Sequence, residues 1–449
     1  CIVCKGHLEL KGKGVLNVYG NAAHGIYAKE YVELKNCTVN VLSAEKDGIN
    51  CNQYFIMESG SLNISGVQDD GVQVSYKDET NRDGEDTGSI TVSGGTIGMK
   101  ITGTAAKGLK AEGGINVSGG TLDITASGGG KWDSDESKTK SSSCVSADGD
   151  IVIDGGKFTL ENSGSGGKGI NGNGTLKMNG GNVKITTTGG MFAYTNGMEY
   201  PNYTGNTDRL SSNYKSSPKG IRIEGDIEIN GDTISVSTTG NGAEGIESKA
   251  LLTINNGTVV VSAYDDAINS SNHMYIKGGD ITVVSSGNDG LDSNGNMYIS
   301  GGVIKAFGTR SPECGIDANE EENYSVIFTG GTLLAVGGGN SVPSTSQSTQ
   351  PYVSGSMSVS ANSEITLKNG STTLAIFTVP SNYSSSSDSQ GGGFGPGGQG
   401  GFRPGGSSGG SSVLISCAGL TSGSSYTMTS GSSSTTVTAT LKGSGGGRW

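Results

Sequence analysis

The sequence predicts an all-β protein whose main body is a parallel β-helix of about eleven coils, followed by a small C-terminal β module. Two interleaved repeats and a near absence of helical periodicity support this prediction. The first repeat returns about every 23 residues and reads polar residue, glycine, aliphatic residue, polar residue, small residue; we call it the Gly-aliphatic motif. A fixed period with one apolar position per copy is typical of a solenoid. Copies begin at His24, Asp47, Asp70, Lys107, Lys168, Lys219, Glu244, Asp266, Asp289 and Cys314, with a degenerate copy at Cys144.

The second repeat places apolar residues at alternate positions on both sides of a Gly-Gly pair, as in Ile90–Ile97 and Ile115–Leu122. Alternation with period two predicts β-strands with one buried face. Together the two repeats give three short strands in each period, which is one coil of a parallel β-helix. The coils extend from about residue 24 to residue 337, so residues 1–337 form the predicted β-helical domain.

The composition fits a narrow core and excludes several classes of protein. The chain has 449 residues, 32% of them hydrophobic, 80 glycines and a net charge of -12. The negative charge argues against a nucleic-acid partner. No apolar stretch is long enough to predict a membrane span. Seven scattered cysteines make no disulfide framework, and Cys1 leaves open a lipid-modified terminus.

Three coils carry insertions immediately before the Gly-aliphatic motif, at about residues 76–88, 128–143 and 189–217. Insertions at one position of a solenoid project from one face, which is often the binding face. The second and third insertions contain aromatic residues, and aromatic rings stack on the apolar faces of sugars. The alternative is that the rings fasten the insertions to the coils. The aromatic residues we assign to substrate binding are Trp132, Tyr194, Tyr200, Tyr203 and Tyr214.

Acidic residues gather in the Gly-aliphatic motifs near the N-terminal end and in the last coils. Like charges on adjacent coils, about 5 Å apart, cost about 3 kcal/mol per pair at an effective dielectric of 20. Such a group needs a cation or raised pKa values, and carboxylates mixed with amide oxygens suit Ca²⁺. The alternative is a solvated acidic edge. The predicted calcium ligands are Asp47, Asn50, Asp69, Asp70, Glu244, Glu247, Asp265, Asp266, Asn269, Asp289, Asp292 and Asp317.

The middle coils carry basic residues at the same motif positions. At the spacing of the coils, each cation could meet the carboxylate of a uronic acid, whereas the alternative is a set of unrelated surface cations. These residues are Lys107, Lys110, Lys168, Lys219 and Arg222.

The segments Asp47–Asn50 and Asn288–Asp292, with the interleaved Gly-Gly-Thr motifs, resemble a clostridial family of secreted carbohydrate-binding proteins. The resemblance covers about residues 5–337 and implies a right-handed parallel β-helix like that of pectate lyases. It also implies calcium, binding of cellulose or acidic sugars, and a bacterial protein that is secreted or held at the cell surface. Lysine or serine occupies the middle motifs, where the family's calcium positions would fall.

Beyond the coils, residues 338–352 are rich in Ser, Gly, Gln and Pro and predict a linker. Residues 353–449 predict a small β module or a cap on the last coil, interrupted by a Ser/Gly-rich loop at 381–412. A cap would cover an open sheet edge. The N-terminal end shows no cap, which leaves end-to-end assembly into an oligomer or filament open.

Three functions follow from these observations, in order of preference. The first is an extracellular, calcium-binding, non-catalytic protein that recognises a plant cell-wall or acidic polysaccharide, polygalacturonate-like or cellulose. The second is a structural adhesin or filament subunit. The third is a calcium-dependent polysaccharide lyase with Lys219 or Arg222 as the base; with three histidines in the chain, a Ser-His-Asp site is not expected.

Overall fold

The computed structural model describes residues 1–77, 84–207, 209–344, 346–384 and 410–441. The chain falls into two compact units, Cys1–Ala243 (unit 1) and Glu244–Trp449 (unit 2). The boundary between the units therefore lies inside the predicted β-helical domain. Residues 78–83, in the middle of the first predicted insertion, and residues 385–409 of the predicted Ser/Gly-rich loop lie outside the described residues.

Unit 1 contains three parallel sheets, A, B and C, to which each coil contributes one strand. Sheet A holds Ile2–Cys4, Ile26–Ala28, Ile49–Cys51, Val72–Val74, Lys107–Ala111, Ser143–Ala147, Lys168–Gly172 and Lys219–Ile223. Sheet B holds Leu8–Lys11, Val32–Lys35, Tyr54–Met57, Ser89–Val92, Ile115–Val117, Ile151–Ile153, Leu176–Met178 and Ile227–Ile229. Sheet C holds Val15–Gly20, Cys37–Ala44, Gly60–Ile64, Thr96–Ile101, Thr121–Ala126, Lys157–Asn162, Asn182–Thr187 and Thr233–Thr238.

The aliphatic residue of each motif points into the core of the coils. Ile26, Ile49, Val72 and Leu109 pair in register from one strand of sheet A to the next, and all four are fully buried. Equivalent residues therefore stack on one another, and the hydrophobic core is a set of columns that run from coil to coil. Because each coil adds few side chains to a column, a low hydrophobic content suffices.

Close packing between coils accounts for the motif glycine at position 48. A Cβ on Gly48 would lie 2.7 Å from the carbonyl oxygen of Gly71 and 2.8 Å from Cγ2 of Ile64. Both distances are far below the optimum of about 3.5–4.0 Å between nonbonded carbons. A side chain at this position would therefore crowd the next coil and the core, which explains the glycine before Ile49.

Unit 2 contains four further coils and the C-terminal module. Its sheet A holds Glu244–Ser248, Ile268–Ser270, Leu291–Ser293 and Ile316–Ala318. Its sheet B holds Leu252–Ile254, Met274–Ile276, Met297–Ile299 and Val326–Phe328. Its sheet C holds Thr258–Ala263, Asp280–Ser285, Val303–Phe307 and Thr332–Gly337, and continues with Ser411–Ser416 and Tyr352–Met357.

The C-terminal module begins by reversing strand direction at the edge of sheet C in unit 2. Ser411–Ser416 pairs antiparallel with Thr332–Gly337 on one side and with Tyr352–Met357 on the other. A separate four-stranded antiparallel sheet has the order Thr372–Thr378, Glu364–Asn369, Ser425–Ser430, Ser433–Thr438. The last parallel strand of sheet C therefore has a covered edge, as expected for a cap.

The predicted fold class, an all-β parallel solenoid followed by a small β module, is confirmed. The prediction missed the first coil, Ile2–Gly20, because no glycine precedes Ile2 to mark a motif there. The described helical segments are two short 3-10 turns, Ser212–Tyr214 and Glu320–Glu322. In the part of the chain that the structure describes, no helix has the length and apolar character needed to cross a membrane.

Candidate functional site

The second and third insertions of unit 1 fold into small antiparallel structures that contact each other. The second is a hairpin of Lys131–Asp133 and Lys138–Lys140, and the third is a sheet of Phe192–Thr195, Met198–Tyr200 and Lys215–Ser216. The Trp132 amide donates a hydrogen bond to Glu199 Oε1 at 2.7 Å. The Thr139 hydroxyl donates to the Lys215 carbonyl at 2.9 Å. The two insertions therefore form one surface, although they are far apart in the sequence.

Three aromatic rings lie at the junction of these insertions. The Trp132 ring stacks on Tyr194 with centroids 4.3 Å apart and planes 4° apart, and on Tyr214 at 4.9 Å and 12°. The two tyrosine centroids are 6.3 Å apart, with planes 11° apart. Rings on opposite faces of an indole would be at least about 7 Å apart, since nonbonded carbons pack at about 3.5 Å. Tyr194 and Tyr214 therefore lie side by side on the same face of Trp132.

The opposite face of the Trp132 indole is not covered by the two tyrosines. Trp132 and Tyr194 are half-buried, and Tyr214 is 41% exposed. The other two predicted aromatic residues, Tyr200 and Tyr203, form a separate edge-to-face pair at 5.9 Å. The stacked rings thus join the two insertions, as the fastening interpretation predicts, and Trp132 remains partly exposed.

The basic residues of the motifs are held by the protein itself. Lys168 is 7% exposed, and its ammonium donates to Ser141 Oγ, Ser216 Oγ and the Gly166 carbonyl at 2.8–3.0 Å. Lys219 is also 7% exposed. Arg222 pairs with Glu224 at 2.5 Å. Lys168 and Lys219, which precede the motif glycines, are therefore buried at the corner of the coil, whereas Arg222 is partly exposed.

The first acidic cluster, which we call cluster 1, lies in unit 1 and consists of Asp47, Asp69 and Asp70. Asp47 and Asp70 are almost completely buried, whereas Asp69 is exposed. Burial and the charge of Asp70 raise the pKa of Asp47 to about 7, against a smaller opposing effect of the hydrogen bond from Asn50.

Cluster 1 contains a cation from the chain. The Lys110 ammonium lies 3.0 Å from Asp70 Oδ2, and the Lys107 amide donates to Asp70 Oδ1 at 2.7 Å. Burial lowers the pKa of Lys110, but the carboxylates of Asp70 and its neighbours outweigh burial and raise it. The basic and acidic residues that the sequence separates along the chain therefore meet in space between adjacent coils.

The second acidic cluster, cluster 2, lies in unit 2 around Asp289, Asp292 and Asp317. One oxygen from each of these carboxyl groups lies within 4.8 Å of the others. Asp266 adjoins them, since its Oδ1 accepts a hydrogen bond from the Asp289 amide at 3.1 Å. Asn269 Nδ2 donates to Asp292 Oδ2 at 2.6 Å. Cluster 2 thus brings together five of the predicted calcium ligands.

Electrostatic repulsion in cluster 2 is strong. Burial and the charge of Asp317 raise the pKa of Asp292 to about 8, and the other large effects on it come from Glu244, Asp265 and Glu313, all of them acidic. Burial followed by Asp265 raises the pKa of Glu313 to about 7. The pKa values of Asp266 and Asp289 are raised well above the usual range, by burial and then by Asp292. A cation would remove this repulsion.

The remaining predicted ligands have partners within unit 2. Glu247 is 3% exposed and forms an ion pair with Lys249. Asp265 Oδ1 accepts a hydrogen bond from Asn288 at 2.8 Å. Glu244 lies close enough to act on the pKa of Asp292. Carboxylate and amide oxygens from several coils are the donor set that Ca²⁺ accepts, so the residues of cluster 2 fit this ion.

Two groups of stacked aromatic residues at sheet B were not predicted from the sequence. In unit 2, Tyr275 and Tyr298 stack at 4.8 Å, with His273 edge-on to both. In unit 1, Tyr31 and Tyr54 stack at 4.4 Å. The repeated Met-Tyr-Ile at 274–276 and 297–299 was the available signal for the first pair.

Comparison with known families gives one result for most of the chain. A family model described as carbohydrate-binding domain-containing protein matches residues 1–197 and 203–392. No curated protein and no solved structure matches the chain significantly.

Proposed function

Because the chain belongs to the carbohydrate-binding domain-containing protein family, we propose that its aromatic surface in unit 1 binds a polysaccharide outside the cell. The observation that carries the proposal is the arrangement of Trp132, whose one face rests on Tyr194 and Tyr214. The two tyrosines hold the indole in place on one face, and we propose that a sugar ring stacks on the other. An ordered ring loses little side-chain freedom on binding, which favours affinity.

The chemistry of this surface matches the apolar face of a sugar. Aromatic side chains combine a large apolar area with polar groups at the edge. Lys131, next to Trp132 in the sequence, is exposed, and the Tyr214 ring stacks on the indole. A β-linked glucan such as cellulose offers flat pyranose faces of this kind. We therefore propose a plant cell-wall glucan as the ligand of the aromatic surface.

A polygalacturonate-like ligand is the second candidate, and calcium favours it. We propose that Asp289, Asp292 and Asp317, with Asp266 and Asn269, hold one Ca²⁺ in unit 2. The bound ion would neutralise the buried carboxylates and supply a positive charge for a uronate. The donor set and the acidic neighbours of Asp292 support this proposal.

Tryptophan fluorescence tests the glucan proposal directly. The chain has two tryptophans, Trp132 and Trp449, so a Trp449→Phe background isolates the signal of Trp132. We expect cello-oligosaccharides to shift its emission. Trp132→Ala should weaken retention on cellulose at least about tenfold, which corresponds to about 1.4 kcal/mol of binding free energy.

Met198→Ala is the matched control, because Met198 lies in the same insertion and is 56% exposed without belonging to the ring stack. It should bind as the parent does. Equal retention of Trp132→Ala and Met198→Ala would refute the aromatic surface as the binding site. Parallel titrations with polygalacturonate, with and without calcium, separate the two candidate ligands.

A structural role is the second candidate function, favoured by the first coil. Three apolar side chains of the coil Ile2–Gly20 are largely exposed: Val3 at 65%, Val15 at 66% and Tyr19 at 56%. Sedimentation of the chain and of a Val15→Lys, Tyr19→Lys variant would test assembly through this coil. The buried position of Lys219 offers no comparable support for the lyase.

A further inference from the structure

Clusters 1 and 2 are built on the same plan. Asp47 and Asp70 are 23 residues apart, as are Asp266 and Asp289. In both pairs the first aspartate accepts the amide of the second through Oδ1 at 3.1 Å. The correspondence extends along both coils, so that Asn50 matches Asn269.

Two further hydrogen bonds of cluster 1 have counterparts in cluster 2. Asn50 Nδ2 donates to Asp47 Oδ2 at 2.8 Å, as Asn269 Nδ2 donates to Asp266 Oδ2 at 3.4 Å. Asp70 Oδ1 accepts the amide of Lys107, and Asp289 Oδ1 accepts the amide of Cys314. These are the residues that begin the next Gly-aliphatic motif in each unit.

The clusters differ at two positions of their sheet A strands: Gln73 of cluster 1 corresponds to Asp292 of cluster 2, and Lys110 corresponds to Asp317. In sheet A of unit 1, Gln73 pairs with Lys110, whereas in unit 2 Asp292 pairs with Asp317. Lys110 and Asp317 therefore occupy equivalent positions. One brings an ammonium 3.0 Å from Asp70 Oδ2, and the other brings a carboxylate within 4.8 Å of Asp289 and Asp292.

We propose that the two clusters are two versions of one cation site, and that the Lys110 ammonium is the permanent cation of cluster 1. Cluster 1 then takes no divalent ion, whereas cluster 2, with Asp317 in place of the lysine and Asp292 in place of Gln73, takes one from solution. The ammonium in cluster 1 is the observation, independent of the acids of cluster 2, that this arrangement of backbone and carboxylates accepts a positive charge. The part concerning cluster 2 rests on the calcium proposed above.

This proposal, with a lysine in cluster 1 and a divalent ion in cluster 2, differs from the sequence-based expectation of calcium in both acidic groups. A lysine that neutralises Asp70 holds adjacent coils together at any calcium concentration. A divalent ion does so in unit 2 only when calcium is present, since a ligand that binds the folded state alone stabilises it according to its concentration. Loss of calcium should therefore loosen unit 2 and leave cluster 1 of unit 1 unchanged.

Calorimetric titration of the full chain with CaCl₂ after removal of bound metal tests this proposal. We expect one ion per wild-type chain and two per chain for Lys110→Asp, which places a carboxylate at the position equivalent to Asp317, while Gln73 offers an amide oxygen at the position equivalent to Asp292. Lys110→Met, which removes the ammonium without adding a ligand, should still bind one ion. The reciprocal variant Asp317→Lys should bind none and should keep its melting temperature when EDTA is added.

The outcomes separate this inference from the calcium proposal. Two ions per wild-type chain, or one ion in both wild type and a folded Lys110→Asp, would overturn the role of Lys110. No ion in wild type with one in Lys110→Asp would support that role and overturn the proposed calcium of cluster 2. No ion in either would overturn both. If Lys110→Asp does not fold, calcium binding by Asp317→Lys decides against the proposal and its absence decides for it.

Discussion

Replacement of Gly48 by alanine tests the close packing between coils. The new Cβ would lie 2.7 Å from the Gly71 carbonyl oxygen and 2.8 Å from Cγ2 of Ile64. The oxygen cannot retreat freely, because it accepts the hydrogen bond of the Ile49 amide at 2.9 Å. Ile64 is itself buried in the core. Relief of the contact therefore disturbs either the pairing of two coils or a core side chain.

The expected cost follows from these two contacts. Overpacking a well-packed core costs about 1–3 kcal/mol, against which alanine recovers about 0.4–1 kcal/mol by restricting the unfolded chain. We expect a net loss of about 1–2 kcal/mol in the free energy of unfolding. The motif copy at Asp266 carries Ala267 at this position, so the loss reflects the neighbours of Gly48 and not the motif in general.

Urea denaturation followed by far-ultraviolet circular dichroism measures this loss. Gly14→Ala is the matched control in the same unit, because its Cβ would meet nothing within 4 Å; it should leave the midpoint unchanged or raise it slightly. If Gly48→Ala and Gly14→Ala shift the midpoint equally, the argument from close packing is wrong.

Three further predictions address the core, the insertions and cluster 2. Phe55→Ala, which empties a fully buried position in sheet B, should lower the free energy of unfolding by about 3–5 kcal/mol; a loss below 1 kcal/mol in urea denaturation would contradict it. Thr139→Val removes the hydrogen bond to the Lys215 carbonyl at a cost of about 0.5–1.5 kcal/mol, and should speed proteolytic cleavage of the insertions while Thr139→Ser does not. Because the folded-state pKa values of Asp292 and Glu313, about 8 and about 7, exceed the usual carboxyl values, the folded chain holds protons that the unfolded chain releases. Its stability without calcium should therefore be greatest near pH 4 and fall as the pH rises to 8, whereas saturating calcium should reduce the fall; melting temperatures that ignore both pH and calcium would refute this.

The fold was accessible from the sequence because each coil repeats the same local pattern. An aliphatic residue after glycine every 23 residues predicts both the strand and its register, as Ile49 and Val72 illustrate. The aromatic surface was predicted by composition alone, since nothing in the sequence brings Trp132 next to Tyr194. The pairing of Lys110 with Asp70 was not predicted, because the first insertion separates their two coils in the sequence.

The register of sheet A also bears on how such a chain can change its length during evolution. Ile26, Ile49 and Val72 occupy equivalent positions in consecutive coils, and the coil between Asp47 and Asp70 is the same length as that between Asp266 and Asp289. Duplication or loss of one whole period therefore joins compatible ends without breaking a strand. The antiparallel strand Ser411–Ser416 needs only one parallel strand of sheet C to pair with. The same C-terminal module can therefore cap a chain with more coils or fewer.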